Sequence, residues 1–345
     1  MKALPHPQLV RKWFSKIDMS PGISKPVLTN VKNMIDENSK KGIKLQFGIQ
    51  VDEMSIKKMI EWDGKQYHGQ VDLGLDNDES EEATYALVIM LVCLNGHFKT
   101  PISYYFIKSL TAKARANIIK EVLTVLHNHG ICDIRSITFD GASTNLAMVK
   151  HLGANISDVE KDSVFEHFVT KELIVIVPDA CHMLKLARNT LAEYNIVDNE
   201  GNVIKWSYLI KLVERQEESR LHPATKIRRR HINFQKEKMK VKLAAQALSN
   251  SVADALLFMK ETIKDFVGVE ATSKFCKKIN IFNFLNSRTK FLKSDSQKSI
   301  TKENLKEMEG IVTEHIDYIK SLKIIENPMS NERIPILKSK RRTGF

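Results

Sequence analysis

Asp52 and Asp140 are the residues best placed to do chemistry in this chain. Each closes a short apolar run: Leu45-Gln46-Phe47-Gly48-Ile49-Gln50-Val51 leads into Asp52-Glu53, and Ile134-Arg135-Ser136-Ile137-Thr138-Phe139 leads into Asp140. If both runs are strands of one sheet, their C-terminal ends bring the two carboxylates together. Paired carboxylates offer hard oxygen ligands to Mg²⁺ or Mn²⁺, which neutralises charge on a scissile phosphate and lowers the pKa of an attacking water or 3′-hydroxyl. A working two-metal site normally uses a third carboxylate. For a single Asp at a strand end, the ordinary role is to cap a backbone amide; what singles these two out is their joint placement.

Glu53 follows Asp52 and is expected on the opposite side of the strand, in a structural role. Asp179 and His182 straddle a strand-to-helix junction at the same end of the inferred sheet, where they would either reach the site or cap the helix. No GxxxxGK[ST] or GxGxxG stretch occurs, so a nucleotide would have to be held without a P-loop. Cys181-His182 lacks zinc-ligand spacing and Ser143 lacks the setting of a nucleophile elbow, which argues against zinc and serine hydrolases.

The elements that must position the pair are legible as periodicities. Residues 1–43 read as a peripheral helical arm or a partial helix-turn-helix, with apolar residues at helical spacing in 7–17 and 27–38 around Pro21-Gly22. From Lys44 the pattern turns to strands. Asp63-Gly64-Lys65 is expected to turn a hairpin, and the acidic stretch Asp76 to Glu82 to form a solvated loop. The run from Tyr85 to Leu94 resembles a central strand buried on both faces, followed by a strand over Ile102 to Ile107. Ala112 to His129 is helical and stops at Gly130. The strand ending at Asp140, a helix over Leu146 to Leu152, a strand over Leu173 to Val177 and a helix after His182 complete this half. A three-strand antiparallel meander followed by alternating helix and strand is the RNase H-like order, with the ends of its first and fourth strands side by side. Beyond Trp206 there is almost no strand signal, and Lys236 to Lys260, Phe275 to Leu285 and Leu305 to Leu322 read as amphipathic helices. The expected fold is thus an α/β RNase H-like domain over 44–204, followed by a mostly helical domain over 205–345.

Composition bounds the partners. The chain has 345 residues, 43% of them hydrophobic and enough for two cores, and a formal net charge of +12. Residues 1–204 carry 23 basic and 25 acidic side chains, whereas 205–345 carry 30 and 16, a net of +14. A positive field confined to one domain suits a polyanion such as nucleic acid or a nucleotide, and equally a well-solvated basic surface. No apolar run approaches the roughly 20 residues of a membrane span and the start has no signal-peptide core, so an intracellular protein without a membrane partner is expected. Cys93, Cys132, Cys181 and Cys276 are widely spaced and read as reduced, mostly buried thiols.

Several phrases resemble the P-element type transposases and their THAP-domain relatives: Val51-Asp52-Glu53-Met54-Ser55-Ile56, Thr138-Phe139-Asp140-Gly141-Ala142-Ser143-Thr144-Asn145, the stretch from Pro178 to Asn189, Lys238 to Gln246, Phe282 to Arg288, and Arg342-Thr343-Gly344-Phe345. The resemblance covers most of the chain. It implies a nuclear enzyme that cuts and joins DNA, with an RNase H-like domain interrupted by a helical insertion that binds GTP. It makes Asp52 and Asp140 the first two metal-binding acids, and it assigns Asn283 and Asn286 to the guanine nucleotide site. Asn283 stands where the family has Asp; an amide offers one acceptor and two donors, a poor match to the two N–H groups of guanine. The family's zinc-binding module and coiled coil would precede Met1, and its last catalytic Glu would follow the insertion, so a chain truncated at both ends is expected.

Three readings follow. The first is a partial P-element-like transposase, inactive alone, with DNA, Mg²⁺ or Mn²⁺, a guanine nucleotide and a homo-oligomer or full-length transposase as partners. The second is a non-catalytic DNA- or protein-binding transposon relic or repressor. The third is a small nuclease using Asp179 or Glu193 as its third acid.

Overall fold

Alternation of apolar and polar side chains builds a sheet whose buried face is lined by aliphatic residues. The computed structural model describes residues 5–14, 20–62, 64, 67–74, 79–156, 163–280, 300–325 and 332–339; Asn283 and Asn286 lie outside them. The chain divides into two units, Met1–Pro178 and Asp179–Phe345.

In the first unit, α1 (Pro7–Phe14), β1 (Gly22–Ile23) and α2 (Lys25–Ser39) precede the long strand β2 (Phe47–Ser55). Four short strands follow, β3 (Glu61–Trp62) paired with β4 (Tyr67–His68), and β5 (Gln70–Val71) paired with β6 (Glu79–Glu82). Next come β7 (Tyr85–Cys93), β8 (Lys99–Ile107), α3 (Ala112–Asn128), β9 (Ile134–Phe139), α4 (Ser143–Leu152), β10 (Val164–Glu166) and β11 (Leu173–Pro178). The main sheet has the order β1-β8-β7-β2-β9-β11-β10. Pairing is parallel only for β2 with β9 and β9 with β11. This mixed sheet is the RNase H-like order expected from the sequence.

One face of the sheet carries Ile49, Val51, Ile89, Leu91, Ile137 and Ile174, packed with Leu28 and Val31 of α2, Val122 and Leu126 of α3, and Val149 of α4. Each such side chain contributes about 1.5–3 kcal/mol when taken fully out of water. Gly130, at φ 73°, ends α3 as the sequence suggested, because only glycine enters the left-handed region without a Cβ penalty.

Several expectations are corrected here. Residues 25–39 are not peripheral: Leu28 and Val31 are buried and β1 extends the sheet, because a six-strand sheet leaves an apolar face and an edge that these residues cover. Glu79–Glu82 pairs as a strand rather than looping through solvent, since backbone pairing needs no apolar side chains. In β7, Val88, Met90 and Val92 are only half-buried, so this strand has one covered face rather than two. Of the free cysteines, Cys93 and Cys276 are buried whereas Cys132 and Cys181 are exposed.

In the second unit, α5 (Ala180–Glu193), β12 (Asn195–Val197) and β13 (Val203–Ile204) lead into α6 (Ser207–Ser219), α7 (Arg229–Ile232), α8 (Val241–Ala247), α9 (Asn250–Thr262), α10 (Glu270–Ile279) and α11 (Leu305–Ser321), followed by β14 (Lys323–Ile325) and β15 (Arg333–Pro335). Leu184, Leu191 and Ile196 join its core with Leu209, Leu256 and Phe275, so the division falls before α5 whereas the sequence pattern placed it at 204/205. The domain is mostly helical as expected. It also holds an antiparallel sheet in the order β13-β12-β14-β15, whose two- and three-residue strands are too short for periodicity to reveal. The stretch from Lys236 to Lys260 is broken: Ser249 caps α9 by accepting the amide of Val252, and a single long helix does not form. Among the described residues, no helix is long and apolar enough to cross a membrane.

His167 is buried in the first unit beside His127, with ring centroids 6.0 Å apart. Its Nδ1 accepts the amides of Val169 and Thr170 at 3.1 and 3.2 Å, so a proton can be added there only by losing both bonds. Burial first, and the neighbouring His127 second, hold its pKa below the ordinary histidine value. The unfolded chain therefore binds the proton more readily, and the stability contributed by neutral His167 is present above about pH 6.5 and lost as pH falls through the folded value. Urea denaturation midpoints should drop between pH 7 and pH 5, and the drop should shrink in His167→Asn, whose Oδ1 can replace Nδ1 as acceptor without titrating.

Candidate metal centre

The register of β2 against β9 places the two aspartates. Gly48, Ile49 and Gln50 pair with Ser136, Ile137 and Thr138 in parallel. Two residues beyond the Gln50–Thr138 pair, on both strands, stand Asp52 and Asp140. Along β2, Ile49 and Val51 are buried while Gln50 and Asp52 are exposed, so Asp52 lies on the open face, as alternation requires. A Cβ at Gly48 would come within 2.6 Å of Ser136 Oγ and 3.3 Å of Leu94 Cδ2, so a larger residue there would have to displace both side chains.

Each aspartate commits one oxygen locally and leaves the other without a partner among the described residues. Asp52 Oδ1 accepts the backbone N–H of Glu53 at 2.9 Å. Asp140 Oδ1 accepts two bonds, from the backbone N–H of Ala142 at 3.0 Å and from Nδ2 of Asn145 at 2.7 Å. Asp140 is half-buried where the chain turns from β9 into α4, and Asp52 is exposed. Two hard, anionic oxygens at neighbouring strand ends are the donor set that a divalent magnesium-like cation takes, so these residues fit the metal the sequence suggested.

Behind the pair lies a polar network that sequence reasoning missed. Glu53 points away from Asp52, as expected, and its Oε1 is ion-paired with Nη2 of Arg115 on α3. Arg115 Nη1 donates to Asn145 Oδ1 at 3.3 Å. Arg115 and Asn145 are both buried, at 8% and 6% exposure. The only signal in the sequence was an arginine amid the apolar spacing of α3 and an asparagine five residues after Asp140; nothing local joined them.

The remaining sequence candidates, Asp179 and Glu193, have other partners. Asp179 caps α5 with both oxygens, accepting the amides of Cys181 at 3.0 Å and His182 at 3.2 Å. Glu193 is ion-paired with Lys238 at 3.4 Å. Among the described residues, no three His, Cys, Asp or Glu side chains come together in a metal-binding group.

Removing Arg115 would strand a Glu53 carboxylate that is only 28% exposed and an Asn145 carbonyl. Breaking a fully buried pair costs about 3–5 kcal/mol; with Glu53 partly solvated, Arg115→Met should lower the urea-unfolding free energy by about 2–3 kcal/mol, and Lys113→Met, one turn edge away on the exposed side of α3, should leave it within about 0.5 kcal/mol.

Comparison with known proteins adds an independent line. A family model described as the TNP-like RNase H N-terminal domain matches residues 19–153, and one described as the TNP-like GTP-binding insertion domain matches residues 181–299. The human DNA transposase THAP9 is 26% identical over 350 residues, covering 99% of this chain and 38% of that protein. The Transposable element P transposase of Drosophila melanogaster is 24% identical over 288 residues, covering 83% of this chain and 35% of that protein. The chain thus spans less than two fifths of the length of these relatives. Its fold is similar to that in the Drosophila P element transposase strand transfer complex, with a TM-score of 0.76 at 21% identity over 99% of this chain and 72% of that one. Carrying matches to a TNP-like RNase H N-terminal domain and, after it, a TNP-like GTP-binding insertion domain, the chain is P-element transposase-like.

Proposed function

We propose that this chain forms part of a nuclear P-element-like DNA transposase, in which Asp52 and Asp140 hold a divalent metal ion for phosphodiester cleavage and strand transfer. The observation that supports this reading is the parallel β2–β9 register, with the two carboxylates at adjacent strand ends and one oxygen of each without a partner among the described residues. When bound, Mg²⁺ or Mn²⁺ would supply charge neutralisation at the phosphate and a more acidic nucleophile. The chain's own residues orient the acids: the Glu53 amide on Asp52, and the Ala142 amide with Asn145 on Asp140. DNA as substrate is supported by the likeness to a human DNA transposase and by the net charge of +14 over residues 205–345.

Two carboxylates are one short of the usual set. Asp179 is committed as a helix cap and Glu193 to Lys238, so in this reading neither completes the site and the 345 residues alone do not cut. The second reading, a DNA-binding protein without catalysis, is favoured by the charge asymmetry, which needs no third acid. Incubating the 345-residue protein with a transposon-end duplex decides between the outcomes. The expected result is DNA binding that weakens steeply with salt and no Mg²⁺- or Mn²⁺-dependent nicking. Nicking abolished by Asp140→Asn would establish the chemistry and refute inactivity in isolation; salt-insensitive or absent binding would remove DNA as partner.

For the nucleotide, the side chain at 283 is decisive. An aspartate accepts from both N1–H and the 2-amino group of guanine, whereas Asn283 can accept only one bond and places a donor against the other. A charged hydrogen bond is worth about 1.5–3 kcal/mol, so Asn283→Asp should tighten GTP binding by about ten- to a hundredfold, measured with a fluorescent GTP analogue. Unchanged affinity would remove residue 283 from the guanine site.

A further inference from the structure

The network behind the acid pair has a directional property that follows from hydrogen-bond chemistry. A guanidinium has donors and no acceptor. Facing Arg115 Nη1 at 3.3 Å, the Asn145 amide must present its oxygen to the arginine, and its Nδ2 is then aimed at Asp140 Oδ1, 2.7 Å away. In the flipped orientation an NH₂ would oppose the guanidinium and a carbonyl would oppose the carboxylate, so both contacts would be repulsive. Arg115 is itself oriented by Glu53, the residue next to Asp52 and the donor to its Oδ1. A continuous path therefore runs from Asp52 through Glu53, Arg115 and Asn145 to Asp140, joining β2, α3 and α4 behind the site. Burial of Arg115 and Asn145 keeps water from substituting for either partner, and a low local dielectric strengthens each link.

We propose that Arg115 and Asn145 are positioning residues: Arg115 fixes the amide orientation of Asn145, which pins Oδ1 of Asp140 and leaves Oδ2 to face the divalent cation. This rests on the metal reading given above. Neither residue touches the ion; they act by restricting the side-chain rotation of Asp140 before the cation binds and by coupling its orientation to the strand that carries Asp52. Residues that orient metal ligands in this way typically change affinity by ten- to a hundredfold when removed.

The test uses Mn²⁺ as probe, with free Mn²⁺ measured by electron paramagnetic resonance during titration of the 345-residue protein. Circular dichroism melting of the metal-free protein is measured in parallel, and every titration is run well below each variant's melting temperature. Asp140→Asn should abolish or nearly abolish the high-affinity site. Asn145→Ala should weaken Mn²⁺ binding by about tenfold, and Arg115→Met, which leaves Asn145 in place without its orienting cation, by severalfold. Asn145→Gln, which retains both a donor and an acceptor, should recover part of the loss. A purely structural role would move the melting temperatures and leave the Mn²⁺ affinity of the folded protein unchanged. If Asn145→Ala and Arg115→Met bind Mn²⁺ as the wild type does while Asp140→Asn does not, the positioning role is refuted and the metal reading stands. Wild-type protein that takes up no Mn²⁺, or Asp140→Asn that takes it up normally, would overturn both.

Discussion

The parallel pairing of β2 with β9 is the constraint on which the first unit depends. Parallel neighbours need a long crossover, supplied here through β7, β8 and α3 before the chain returns as β9. The pairing has little room for error. A slip of one residue would exchange the faces of a strand, moving Ile49 and Val51 into solvent and Asp52 into the core. Apolar burial on one face therefore holds the register, and the register holds the aspartates at neighbouring strand ends.

Both units bury a guanidinium, by different means. Arg115 is matched by a carboxylate and an amide oxygen, and a charge so balanced can remain inside the fold at modest cost. Arg188, with no exposed surface, lacks a carboxylate partner among the described residues. It stacks at 3.8 Å from the Phe234 ring centroid and donates to the Asn189 side chain and the Lys238 carbonyl, both at 2.8 Å. Burial lowers its pKa to about 10, which still leaves it charged at neutral pH. The first arrangement ties three elements together behind a candidate site; the second ties α5 to the segment before α8 within the helical unit's core.

Much of this architecture could be read from local pattern. The long strands, α3 with its glycine stop and the strand ending at Asp140 all have apolar spacing strong enough to stand alone. The cap of α5 was open to two readings, and Asp179 proves to cap. What local pattern could not show were elements whose pairing comes from elsewhere in the chain: β6, built from glutamates and a serine, and β12 to β15, each two or three residues long. The burial of α2 was missed for the same reason, since Leu28 and Val31 look like any amphipathic pair until a sheet is there to receive them. The break before α9 turned on Ser249, one capping residue inside a stretch whose periodicity ran on without interruption.

Residue order alone was sufficient to nominate Asp52 and Asp140, because a carboxylate closing an apolar run is a local feature and the strand sequence implied their adjacency. It also identified Glu53 as facing away, through the two-residue repeat of a strand. Only the folded chain could bring Arg115 of α3 and Asn145 of α4 between them. Those contacts join residues far apart in sequence, and their worth comes from desolvation, which a side chain acquires from its neighbours in space rather than from its neighbours along the chain.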